Sequence, residues 1–141
     1  METSAAETWL YATLTGDATL TGLVGARVYN TRRPADGAMP CVVFQLQASG
    51  DVMVVGAVRV WSRLTYVVRG IAEPVPPSYE GTLKSIAGRI DALLHGKSGS
   101  NGAGTVWSCV RVRPFQMAET PPQLGGREFR HLGGVYEIQA R

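Results

Sequence analysis

Hydrophobic and polar positions change period along the chain, and the clearest change lies within residues 57–95. From Ala57 to Arg69 they alternate. Val58, Val60, Leu64, Tyr66 and Val68 fall on one side, and Arg59, Trp61, Arg63, Thr65 and Arg69 on the other. A period of two marks a strand with one buried face. Glu73-Pro74-Val75-Pro76-Pro77 then forbids helix or central strand. From Ser78 onward Tyr79, Leu83, Ile86, Ala87, Ile90, Leu93 and Leu94 recur at steps of three and four, the stripe of a helix lying on a sheet, and Gly96 caps its end.

The remaining segments follow from the same reasoning. Ser4 and Glu7 have capping-box spacing ahead of a short helix with the stripe Ala5, Ala6, Trp9, Leu10 and Leu14, ended by Gly16. Asp17 is placed to cap a second helical turn, Ala18 to Val24, stopped by Gly25. Residues 26–29 read as a brief strand and 30–39 as a polar loop carrying Arg32 and Arg33. Cys41 to Gln47 is a strand, with a turn expected at Ser49-Gly50-Asp51. Val52-Met53-Val54-Val55 has no polar face, and three placements stand open: an extension of the hairpin past the core, a loop tip, or burial in the subunit's own core. Lys97 to Gly104, small and polar, reads as a connecting loop.

Thr105 to Arg113 is a strand with Val106, Ser108, Val110 and Val112 on one face, and Trp107, Cys109, Arg111 and Arg113 on the other. Residues 114–126 read as a long connection. Arg127 to Ala140 is the last strand, with Leu132, Gly134, Tyr136, Ile138 and Ala140 sharing a face. Gly133-Gly134 within it signals a bulge or a close backbone approach. The order predicts one α+β domain over residues 1–141: a mostly antiparallel or mixed sheet covered by a long amphipathic helix and a short N-terminal helix, with loops at about 30–39, 49–56, 97–104 and 114–126.

Composition excludes more than it assigns. With 141 residues, 45% of them hydrophobic, the chain can bury a real core, and no apolar run is long enough to span a bilayer. The polar, acidic start is unlike a signal peptide. Cys41 and Cys109 read as packed thiols of a reducing compartment rather than as a disulfide. His95 sits where a helix ends, and His131 is expected on a solvated or interface face among Arg127, Glu128 and Arg130. The sequence contains no GxSxG, P-loop or GxGxxG motif and no Cys/His metal spacing, so neither an enzyme nor a cofactor or metal site is expected.

Net charge is only +3, yet twelve of the fourteen basic residues are arginine. Arginine and tryptophan dominate the energetics of protein interfaces. Arg59, Trp61 and Arg63 on one strand, and Arg111 and Arg113 beside Trp107 on another, are therefore candidates for protein contact, joined by Arg32, Arg33 and Val52 to Val55. If the two strands were neighbours, the same face, with Arg69 beside Arg59 and Arg63, would suit single-stranded nucleic acid.

Several stretches together resemble the tail-completion family of long-tailed phages, the tail terminators or tail-to-head joining proteins, with relatives in gene transfer agents. They are Leu10-Tyr11-Ala12-Thr13-Leu14-Thr15-Gly16-Asp17 with Leu20, Leu23-Val24-Gly25 and Arg27-Val28-Tyr29; Met39-Pro40-Cys41-Val42-Val43-Phe44; Trp61-Ser62-Arg63; Tyr79-Glu80-Gly81; Leu93-Leu94-His95-Gly96; and Arg130-His131-Leu132-Gly133-Gly134-Val135-Tyr136-Glu137-Ile138. The resemblance implies a virion protein at the head-proximal end of the tail, assembled in the host cytoplasm. It would form a hexameric ring that caps the tail tube, ends its polymerisation and meets the head connector, with DNA passing through the lumen and no catalysis. Val52–Val55 and the 97–104 segment depart from the family pattern. A head-completion or connector adaptor ring, and a single-stranded nucleic-acid module, are the alternative readings.

Overall fold

A computed structural model describes residues 2–35, 37–74, 79–121 and 126–141. Most of the proline-rich turn, Val75 to Ser78, and residues 122–125 of the long connection lie outside the described residues. The elements are α1 (Glu2–Thr15), α2 (Ala18–Val24), β1 (Val28–Asn30), β2 (Cys41–Val54), β3 (Val58–Ala72), α3 (Tyr79–Leu94), β4 (Lys97–Asn101), β5 (Gly104–Glu119) and β6 (Phe129–Ala140). They form a single α+β domain around one six-stranded mixed sheet of order β1-β2-β3-β6-β5-β4. The β1–β2 pair is parallel and every other pair is antiparallel.

The three helices pack on one face of this sheet. Ala6, Trp9, Leu10 and Leu14 of α1, Leu20 and Val24 of α2, and Ile86, Ile90 and Leu94 of α3 meet Phe44, Leu64, Tyr66, Val68, Tyr136 and Ile138 in the main core. The α1 stripe and the α3 stripe are thus the buried faces that their periods predict. Asp17 caps α2, its Oδ2 accepting the Leu20 amide at 2.8 Å, and Gly25 ends the helix with φ 61°. Ser4, however, lies inside α1 rather than at its cap, because the helix already runs from Glu2.

Close packing is possible because two strands lack side chains where they are approached. A Cβ at Gly70 would lie 2.6 Å from Ile86 Cγ2, so α3 rests directly on β3. At Gly133 a Cβ would collide with the Val68 carbonyl oxygen, so β3 approaches β6 closely there without a bulge. Tyr136 ties sheet to helix, its hydroxyl donating to Asp91 Oδ1 at 3.1 Å.

Three segments expected as loops are strands. β2 passes through Ser49-Gly50-Asp51 without turning, since Ser49, Gly50 and Asp51 pair with Leu64, Arg63 and Ser62; the turn comes at Val55 to Ala57. Lys97 to Asn101 forms β4, which α1 holds in place. Gly99 leaves room for the Trp9 indole, and Asn101 Nδ2 donates to the Ala5 carbonyl at 3.0 Å. β5 continues past Pro114 to Glu119, because β6 pairs with it along that whole length.

The face away from the helices is partly covered by Arg33 and Met39. Cys41, Val43, Ile71 and Phe129 form a second buried cluster there, packed by Tyr29 and Met39. Both cysteines are buried free thiols, Cys41 in this cluster and Cys109 in the main core. Burial pushes the Cys41 thiol up to about 11 and the Cys109 thiol up to about 12.

Candidate interaction surfaces

Bulges decide which candidate residues share a surface. In β3, Trp61 pairs with Val52 while Arg59 pairs with Met53, leaving Val60 as the extra residue. Arg59 therefore turns to the helix side, where it meets Glu2 at 3.2 Å and Asp51 at 3.8 Å. Trp61 and Arg63 stay on the helix-free side. The single Arg59-Trp61-Arg63 face expected from alternation is split.

Two further bulges act on β5. Trp107 is extra between Val106 and Ser108, so Cys109 joins Val106 in the core instead of facing away from it. Val112 is extra between Arg111 and Arg113. Arg111 accordingly reaches the helix side, 3.7 Å from Asp91, whereas Arg113 pairs in register with Val135 on the other side. The backbone N–H of Arg111 also donates to His95 Nδ1 at 3.0 Å, tying β5 to the end of α3.

What the fold does bring together is an apolar patch at the far end of the β2–β3 hairpin. β6 ends at Ala140, opposite Ser62, so beyond that point β2 and β3 continue as a two-stranded ribbon. Val52 faces Trp61, and Val54 faces Val58, across the ribbon on its helix-free side. Val55 at the turn is fully exposed, and Met53, Val54 and Val58 are each more than half exposed. Of the three placements open for Val52–Val55, extension past the core is the one observed. Val58, expected in the core, lies in this exposed patch instead.

Trp61 reaches across the end of β6 to Trp107, ring centroids 5.5 Å apart and tilted at 53°. Its indole N–H is buried and meets no acceptor among the described residues. β3 and β5 are not neighbours, yet these two rings touch. Alternation alone gave no sign of Val58 or of this pairing.

Arg32 and Arg33 lie at the opposite end of the same face. From Trp61 to Ile71 is ten residues of strand, roughly 30 Å. Arg33 Nη2 pairs with Glu119 at 3.3 Å, and its guanidinium stacks 4.2 Å from the Phe129 ring centre. His131, expected on an open face, is buried between Arg69 and Glu119. Its Nδ1 accepts from Arg69 Nε at 3.0 Å and its Nε2 lies 3.1 Å from Glu119 Oε1. Burial lowers its affinity for a second proton despite that carboxylate.

Among the described residues no group of three His, Cys, Asp or Glu side chains could hold a metal ion, and no described helix is long and apolar enough to cross a membrane. Six of the fourteen basic residues are paired with carboxylates among the described residues. Arg33, Arg59, Arg89, Arg111, Arg127 and Arg130 each meet a carboxylate. Such a surface carries tryptophan and exposed valines, with paired and unpaired arginines interspersed among the described residues.

A compact α+β domain with an exposed apolar patch is the class that fold and surface define. The sequence profile of the family described as "Tail completion protein gp17" matches residues 8–119. The chain belongs to that family of tail structural proteins, and its place is the virion tail. No curated protein matches it. Among solved structures, a chain from the virion of a native gene transfer agent (GTA) particle shares the fold with a TM-score of 0.69 at 20% identity, over 98% of this chain and 96% of that one.

Proposed function

We propose that this protein is the subunit of a hexameric ring that caps the finished tail tube, stops its polymerisation and joins the tail to the head connector, without catalysing a reaction. The observation that carries this reading is the β2–β3 ribbon beyond Ala140. A two-stranded ribbon bearing Val52, Met53, Val54, Val55 and Val58 is an aggregation hazard in a monomer. The same ribbon seated on a neighbouring subunit or on tube protein is an adhesive element, and a ring closes when such heterologous contacts repeat by rotation.

Trp61 with Trp107 supplies the aromatic centre of this contact, and Arg63 and Arg113 lie on the same helix-free side. Arg59 and Arg111, turned to the helix side and paired with carboxylates, take a smaller part. Arg32 and Arg33 belong to a second contact region at the other end of that side.

Adding the purified chain to polymerising tail-tube protein tests the capping role. Growth is expected to stop at a length set by the moment of addition, with the chain found only at tube ends. Tubes that keep growing with the chain present would refute capping. Chain found on connector rings but never on tubes would instead indicate a head-completion adaptor.

A further inference from the structure

The helix-free face holds a cleft of ≈ 510 Å³ where β2, β3, β5 and β6 meet the 31–35 segment. Arg32, Arg33, Arg69, Glu119 and His131 line it, with Val43, Ile71 and Met117 as apolar wall. Glu119 is the cleft's own carboxylate, and it is already occupied by Arg33 at 3.3 Å and His131 at 3.1 Å. Arg69 is left with neutral partners: Nε donates to His131 Nδ1 at 3.0 Å and Nη2 reaches Gln45 Oε1 at 3.5 Å. Its guanidinium also lies 5.7 Å from the Phe115 ring centre. Among the described residues no carboxylate pairs with Arg69.

Charge removed from water is stable only when it is paired. Arg69 is partly buried, and desolvation already works against its cationic form. Exposed Arg32 shares the cleft, so two guanidiniums not paired among the described residues face one opening. A guanidinium offers a planar fork that matches a carboxylate. The volume suits a side chain with its flanking backbone rather than a bare ion. Nucleic acid fits less well, because a phosphate chain needs a continuous basic track, and Glu119 inside the cleft would repel successive phosphates.

We propose that this cleft receives an acidic side chain of a neighbouring protein, its carboxylate held by Arg69 and Arg32. The inference builds on the reading of the chain as an assembling subunit by naming the chemistry of one contact. It is tested on the isolated chain, so its failure is distinct from any failure to form rings.

The probe is a blocked tetraglutamate peptide, titrated at constant ionic strength while the arginine Nε resonances are followed by NMR. A saturable shift at Arg69 Nε is expected, absent with tetraglutamine. Affinity should fall at least roughly tenfold in Arg69→Gln and in Arg32→Ala, the scale of a lost charged hydrogen bond. Arg32 is exposed, so its variant folds even if the Arg69 variant does not. No saturable shift at Arg69, or binding unchanged in Arg32→Ala, would overturn the proposal. Tighter saturation by inorganic phosphate or an oligothymidylate than by the peptide would also overturn it, giving the site to a phosphate ligand.

Discussion

Asp17 and Arg89 join two helices through one carboxylate. Asp17 Oδ2 accepts the Leu20 amide at the start of α2 and also Arg89 Nε from α3, both at 2.8 Å, while Oδ1 accepts Arg89 Nη2 at 2.6 Å. The capping role was readable from Asp17 standing before Ala18–Val24, but the partner 72 residues away was not. The hydrogen bonds from Arg89, with help from the Leu20 amide, hold the Asp17 carboxyl down to about 2.

The sign of the resulting pH dependence follows from that depression. In the unfolded chain Asp17 titrates near 3.8, so its stabilising effect is complete above that pH. It is lost as pH falls from about 4 towards 2. Asp17→Ala should lower unfolding free energy by about 1–2 kcal/mol at neutral pH, the scale of a lost cap with a partly exposed ion pair. Urea titrations of both chains at pH 7 and pH 2.5 check this: the two curves should lie closer together at the lower pH.

Gly70→Ala should destabilise the fold by about 1–3 kcal/mol, because its new methyl meets the fully buried Ile86 side chain. Gly133→Ala should cost more, since there the obstacle is the backbone carbonyl of Val68, which cannot rotate away. Thermal unfolding of the two variants ranks them.

Cys41 and Cys109 should stay unlabelled by a thiol reagent in the native chain up to about pH 9. Burial keeps both thiols protonated, and neither is exposed. Both should react at once in denaturant. Rapid native labelling of either would show that its strand opens easily.

Periodicity located the helices and the core strands, but not the full extent of the sheet or the faces of its outer strands. The α1 and α3 stripes, the Asp17 cap and the alternation of Leu64, Tyr66 and Val68 were legible because each records burial against a layer. The bulges at Val60, Trp107 and Val112 were not. Each inserts one residue into a run of valine, arginine and tryptophan, where either parity looks acceptable, and so Arg59 parted from Trp61 and Arg111 from Arg113. β4 was hidden for a different reason. Lys97-Ser98-Gly99-Ser100-Asn101 has little strand propensity, and it is Trp9 and Ala5 of α1, with β5, that hold it in the sheet.

Trp61→Ala should weaken subunit association while leaving the monomer folded, because Trp61 packs on Trp107 rather than in the main core. A loss of about 2 kcal/mol or more per contact is expected of an aromatic hot spot. Sedimentation at several concentrations measures it, with circular dichroism as the folding control. Undiminished association would move the contact away from this tryptophan pair.

The most direct test is native mass spectrometry of the chain, alone and with tail-tube protein, beside the double variant Val54→Asp, Val55→Asp. Both substituted positions are exposed, so folding should survive. The wild type should give assemblies holding six 15.1 kDa subunits, and the double variant only folded monomer. Monomer alone for the wild type under both conditions, or rings that form undiminished in the double variant, would contradict a ring built through the β2–β3 ribbon.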